Sequence, residues 1–130
     1  MDHPPLRPLV WVGSARKDFA RLPPGAQDDF GHQLFPVQAG ADAPGEEPLT
    51  RGRLKGPGIR AIRVDFDRDT YRVVYTVELA SGIYVLHAFK KKSKFGISTP
   101  AHDVGVVRQR FAAAVKMDRA LSTSRAGETR

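Results

Sequence analysis

Arg72 is the residue whose placement most invites chemistry. It lies one residue into the run Tyr71 to Leu79 (YRVVYTVEL), whose alternate positions are apolar. A guanidinium there can grip a phosphate through two parallel hydrogen bonds and stabilise negative charge as it develops. The blander reading is a strand arginine paired with Glu78 or Asp65, an ordinary surface ion pair. Arg60 and Arg63 stand in the preceding run, Ile59 to Phe66 (IRAIRVDF). Three apart, they point to opposite faces of a strand, so one can join Arg72 while the other is solvated. Arg63 is the better candidate to join it.

A second set of cations follows an apolar run in Tyr84 to Pro100 (YVLHAFKKKSKFGISTP). Lys90, Lys91, Lys92 and Lys94 crowd the end of that run, and crowded amines repel one another unless an anion sits among them. A polyanion crossing the strand ends satisfies them; a solvated, solubilising loop is the ordinary alternative. Crowding also eases deprotonation, which suits one of the lysines for moving protons. His87, between Val85 and Phe89, is the histidine beside this rim, although a lone strand histidine is more often a hydrogen-bonded core residue. Tyr71, Tyr75, Tyr84, Phe89 and Phe95 can stack on bases. Strand alternation puts most of them in the core and leaves Phe95 exposed.

Other chemistries find no support. His3, His32 and His102 have no metal-ligand spacing, and without cysteine there is no thiolate nucleophile or cysteine-based zinc site. Phosphate-loop, dinucleotide and serine-elbow motifs are all absent, so no metal or cofactor is expected.

The elements that must hold these residues follow from periodicity. Pro8 to Val12 reads as a short strand. Ser14 caps a helix that ends before Pro23, and Pro23-Pro24 open a second helix through Gln38. Phe30, Leu34 and Val37 form its core face, and Pro36 should kink or shorten it. Gly40 to Pro48 reads as a loop, and Arg51 to Lys55 as an edge strand. The period then changes to two. Ile59 to Phe66, Tyr71 to Leu79 and Ile83 to Phe89 make an antiparallel meander, with turns at Asp67 to Thr70 and a tight hairpin at Ala80 to Gly82. A closing helix starts at Thr99-Pro100 and buries Val104, Val107, Phe111, Ala114 and Val115. The expectation is an α+β domain over residues 1–121: a short N-terminal strand, two helices, a three- or four-stranded antiparallel sheet and a C-terminal helix. Residues 122–130 read as a flexible tail.

The chain has 130 residues, 41% of them hydrophobic, and a formal charge of +7. The charge is uneven: −3 over residues 1–50, +7 over 51–95 and +3 over 96–130. A cationic sheet raises affinity for phosphate polymers or acidic proteins. The acidic N-terminal half set against the basic sheet suits a partner's segment wrapping the cationic groove as a charge-complementary interface. No apolar run is long enough to span a bilayer, the N-terminus does not resemble a secretory signal, and the lack of cysteine fits a cytoplasmic location.

Three stretches, WVGSARKDFARLP, DTYRVVYTV and YVLHAFKKKSKFGISTP, together resemble the RelE/ParE toxin superfamily, and within it the HigB-like, phage-derived branch. The resemblance runs from about Leu9 to Ala120. It implies a microbial-ribonuclease-like α+β fold and the toxin of a type II toxin–antitoxin pair that cuts mRNA on the ribosome without a metal. It further implies neutralisation by a cognate antitoxin with a helix-turn-helix, HigA-like. By position, Arg72 matches the family's phosphate-binding arginine and Arg63 a basic position on the preceding strand. Lys91, with Lys90 beside it, matches a basic residue at the end of the last strand. The implied chemistry is attack by the RNA 2′-hydroxyl on the adjacent phosphate, with cations stabilising the transition state and a lysine or His87 moving protons. The chain departs from the pattern at Ala61, where relatives often carry an acid. Two other readings stay open: a ParE-like inhibitor of DNA gyrase that cuts nothing, and an inactive phage-derived binding protein.

Overall fold

The structure, a computed structural model, describes residues 6–48, 58–91 and 101–128. In chain order it comprises β1 (Leu9–Trp11), α1 (Ala15–Ala20), α2 (Pro24–Gln38), β2 (Glu46–Pro48), β3 (Ile59–Phe66), β4 (Asp69–Thr76), β5 (Ile83–Lys90) and α3 (Ala101–Glu128). The architecture is α+β. The expected meander β3-β4-β5 forms the middle of a larger sheet of five strands, ordered β1-β5-β4-β3-β2.

Both additional strands depend on distant partners. β1 runs parallel to β5, with Val10 opposite Tyr84, so the sheet is mixed rather than antiparallel. β2 lies where composition indicates a loop. It holds because Gly45 and the three residues after it find bonds: the Gly45 carbonyl accepts the Arg63 N–H, its own N–H donates to Gln33 Oε1, and Glu47 pairs with Ala61. Pro48 is tolerated because β2 is an edge strand. The predicted edge strand at residues 51–55 lies outside the described residues, as do Thr99 and Pro100.

β3 and β4 are joined by two residues, Asp67 and Arg68, with φ of 49° and 70°. Two positive φ values are what a type I′ hairpin requires, and here neither residue is glycine. The β4–β5 connection is not the tight hairpin expected from Ala80 to Gly82. β4 stops at Thr76, and the longer link is held from outside. The Arg7 guanidinium donates to the carbonyls of Val77, Leu79 and Gly82, and the Asp118 carboxylate accepts the N–H groups of Ala80 and Ser81.

Side chains from the two faces of the sheet fill two cores. On one face Ala26, Phe30, Leu34 and Val37 of α2 pack with Ile62, Val64, Val73, Tyr75 and Val85. On the other, Val104, Val107 and Ala114 of α3 pack with Ala61, Val74, Tyr84, Leu86 and Phe89. Each large side chain fully buried this way contributes about 1.5–3 kcal/mol. Phe111 and Val115, predicted for the same stripe, are only partly buried. Pro36 sits in the last turn of α2, which continues only to Gln38. α3 continues to Glu128, through most of the segment that reads as a tail. Among the described residues no helix is long and apolar enough to cross a membrane.

Candidate anion-binding site

Register decides which cations meet. Arg63 of β3 stands directly opposite Arg72 of β4, and Arg72 in turn opposite Phe89 of β5. Directly paired residues share a face, so both guanidinium groups lie on the α3 side of the sheet. Like charges directly across a ladder are unfavourable, the more so when one is buried. The Arg72 side chain is only 4% exposed, and among the described residues its Nε has no hydrogen-bond partner.

Carboxylates meet part of this charge. Glu47, on β2, places Oε2 3.4 Å from Arg72 Nη2 and Oε1 4.0 Å from Arg63 Nη1. Neither Glu78 nor Asp65 is the partner of Arg72. Asp65 instead receives Arg63 Nε at 3.3 Å and the Thr70 hydroxyl at 2.7 Å. Its carboxyl is held below the usual range, chiefly by the Thr70 hydroxyl, with Arg63 and the charge of Lys91 adding to this against a small burial cost. Lys91 thus reaches the same neighbourhood, and its N–H donates to the Thr70 carbonyl at 2.8 Å.

The other cations do not converge here. Lys90 stands opposite Tyr71, hence on the other face, and pairs with Asp69 at 3.1 Å. Arg60 also lies on that other face, between Glu46 at 2.7 Å and Asp42 at 3.0 Å. Those bonds, first with Glu46, hold its proton more tightly than usual. The Tyr75 hydroxyl is raised well above its ordinary value by burial and then by the Glu46 charge. Lys92, Lys94 and Phe95 lie outside the described residues.

His87 is buried in a separate network. Its Nε2 is 2.7 Å from Asp103 Oδ1, and its ring stacks on Phe89 with centroids 4.9 Å apart. Arg110 Nη1 lies 3.4 Å from Nδ1, and Asp18 Oδ2 lies 3.7 Å from the same nitrogen. The same Nη1 donates to Asp18 Oδ2 and to the Leu86 carbonyl, both at 3.0 Å. Nη2 donates to the Ser14 hydroxyl at 2.6 Å, so Ser14 begins α1 without capping it through its side chain. Gly13, at φ +59, lets the backbone pass beneath Arg110: a Cβ there would lie 3.1 Å from Arg110 Nε.

Glu47, Asp18, Asp103 and Arg110 are the residues that reading the sequence missed. Asp103 and Arg110, seven apart, visibly share a helix face; nothing local shows that His87 lies beneath it. Among the described residues no group of three or more potential ligands gathers to hold a metal ion. Tyr71, Tyr75, Tyr84 and Phe89 are buried and do not offer stacking faces.

No curated protein matches the chain, and no solved structure does. A family model described as Phage derived protein Gp49-like (DUF891) matches residues 17–112. That span runs from within α1 into α3 and carries Glu47, Arg63, Arg72, His87 and Arg110. The chain belongs to this phage-derived Gp49-like family, a member of the RelE/toxin-like group.

Proposed function

We propose that the protein is a HigB-like toxin of a type II toxin–antitoxin pair, acting in the cytoplasm to block translation by cutting ribosome-bound mRNA. The observation that carries this reading is the cross-strand pair Arg63–Arg72, with Arg72 buried and its Nε unbonded. Two arginines on directly paired positions of one sheet face, at a cost in repulsion, suit an anion richer in oxygens than one carboxylate. A backbone phosphate supplies those oxygens, and the charge gained in a pentacoordinate transition state strengthens the contact. The 2′-hydroxyl attacks phosphorus, the 5′-oxygen leaves, and a 2′,3′-cyclic phosphate forms without a metal. Lys91, whose backbone is tied to Thr70 and whose charge is felt by Asp65, is the amine we assign to move a proton. A cognate HigA-like antitoxin with a helix-turn-helix would cover the cationic face.

Induced expression tests the reading. Wild type should arrest growth and fragment mRNA, while Arg72→Met should do neither. Wild-type expression that leaves both growth and mRNA intact would overturn it. One observation favours a second reading. His87 is buried with both ring nitrogens engaged, leaving no accessible imidazole beside Arg72 among the described residues. A gyrase inhibitor on this scaffold needs none. It would block supercoiling and leave RNA whole.

A further inference from the structure

We infer that Glu47 is a displaceable internal ligand: it occupies the anion site in the free protein and must leave before a phosphate can bind. This rests on the phosphate reading of Arg72 given above. The geometry supplies three reasons. First, the two carboxylate oxygens of Glu47 are divided between the two arginines, at 3.4 Å from Arg72 and 4.0 Å from Arg63. That is the arrangement two oxygens of one phosphate would take. Second, the pairing is incomplete. Glu47 reaches Nη2 of Arg72 and leaves Nε of the same guanidinium unbonded and buried. An oxyanion bound along the Nε–Nη2 edge would satisfy both donors, so a better occupant than Glu47 exists. Third, Glu47 is free to go. Its side chain is 34% exposed, and it sits in the middle of a three-residue edge strand.

Competition of this kind has a simple arithmetic. If the carboxylate fills the site nine-tenths of the time, phosphate binds about tenfold more weakly than to the open site. Glu47 then sets a threshold. Isolated phosphates are turned away, and a polyanion with several contacts, or a charge-complementary surface, can displace the carboxylate.

Inorganic phosphate and a trinucleotide with 2′-deoxy sugars, which cannot be cut by 2′-hydroxyl attack, are the probes. Binding is read by calorimetry and by the nitrogen-edited NMR signal of Arg72 Nε–H. Glu47→Gln keeps the side-chain length and should bind both probes about tenfold tighter than wild type, with the Nε–H signal shifting on addition. Glu47→Ala should do the same. Adding Arg72→Met to either should abolish the gain. Equal affinity in wild type and both Glu47 variants overturns the inference and leaves the phosphate reading of Arg72 intact. Failure of any form to move the Nε–H signal overturns both. A Glu47→Gln protein that loses RNA cleavage with unchanged phosphate affinity also overturns the inference, because that pattern belongs to a carboxylate that moves protons.

Discussion

His87 and Phe89, two residues apart on β5, border two charged clusters of opposite character. Around His87, Arg110 meets Asp18, Ser14 and the Leu86 carbonyl, and the imidazole meets Asp103. Beside Phe89, Arg63 and Arg72 face each other, share one incompletely placed carboxylate and leave a buried donor unmet. The first cluster ties α1, β5 and α3 together through hydrogen bonds to each of its charged groups. The second is held apart from its best partner. Satisfied polar groups fix a structure; unsatisfied ones, kept in place by the rest of the fold, are available for binding.

Removing the satisfied cluster should have the largest effect. Arg110→Ala strips three acceptors of their donor, including a partly buried carboxylate, and should cost about 3 kcal/mol. The melting temperature should fall by roughly 10 °C; a fall under 2 °C, measured by calorimetry, would mean the network is not holding the three elements together.

Asp118 offers an intermediate case on the same helix. Burial alone would raise its carboxyl, but the N–H and hydroxyl of Ser81, the N–H of Ala80 and the Tyr84 hydroxyl outweigh this and hold it below the usual value. A lowered folded-state value means stability that is present above the unfolded carboxyl value, near pH 4, and lost as pH falls through the folded one. Asp118→Ala should therefore cost about 1–2 kcal/mol at neutral pH and flatten part of the acid limb of urea unfolding. An unchanged acid limb would remove Asp118 from the account of the β4–β5 link.

The unsatisfied cluster should respond differently. Arg72→Met exchanges a buried, half-bonded cation for an apolar side chain of similar length, so stability should stay within about 1 kcal/mol of wild type. Loss of 3 kcal/mol or more in denaturant titration would show Arg72 to be structural and erase the contrast with Arg110. The smallest effect is expected at the turn leading into β4. Arg68→Gly relieves a positive φ in the type I′ hairpin and should add about 0.5–1 kcal/mol without altering either cluster. A loss of stability there would mean that the Arg68 side chain does more than the backbone angles reveal.

How much of this was legible varies by element. The alternation in IRAIRVDF and YRVVYTV marks β3 and β4, and the apolar run after Gly82 marks β5, because strand patterning is local. The Glu-Glu-Pro of β2 carries no such mark; its strand character comes from Arg63 and Ala61 across the ladder. β1 is visible as apolar, but its parallel alignment to β5 is not. At the site, Arg63 and Arg72 can be read as strand cations, and Lys90 and Lys91 as neighbours in the chain. Adjacent positions on a strand point to opposite faces, so the ladder sends Lys90 to Asp69 and brings Lys91 toward Asp65. Glu47 was hidden because an acid in an apparent loop has no parity until a register is assigned.

The amino-acid sequence by itself determined the helices and all the strands but β2, the surplus of positive charge in the sheet, and the apolar faces that α2 and α3 bury. Only the tertiary structure decided that Arg63 would face Arg72, that Glu47 would stand between them, and that Arg110 would reach across to His87. The reason is that periodicity arises from neighbours a few bonds apart. Register, by contrast, is set by the pairing of segments tens of residues distant, whose fit exists only once both cores have closed around the sheet.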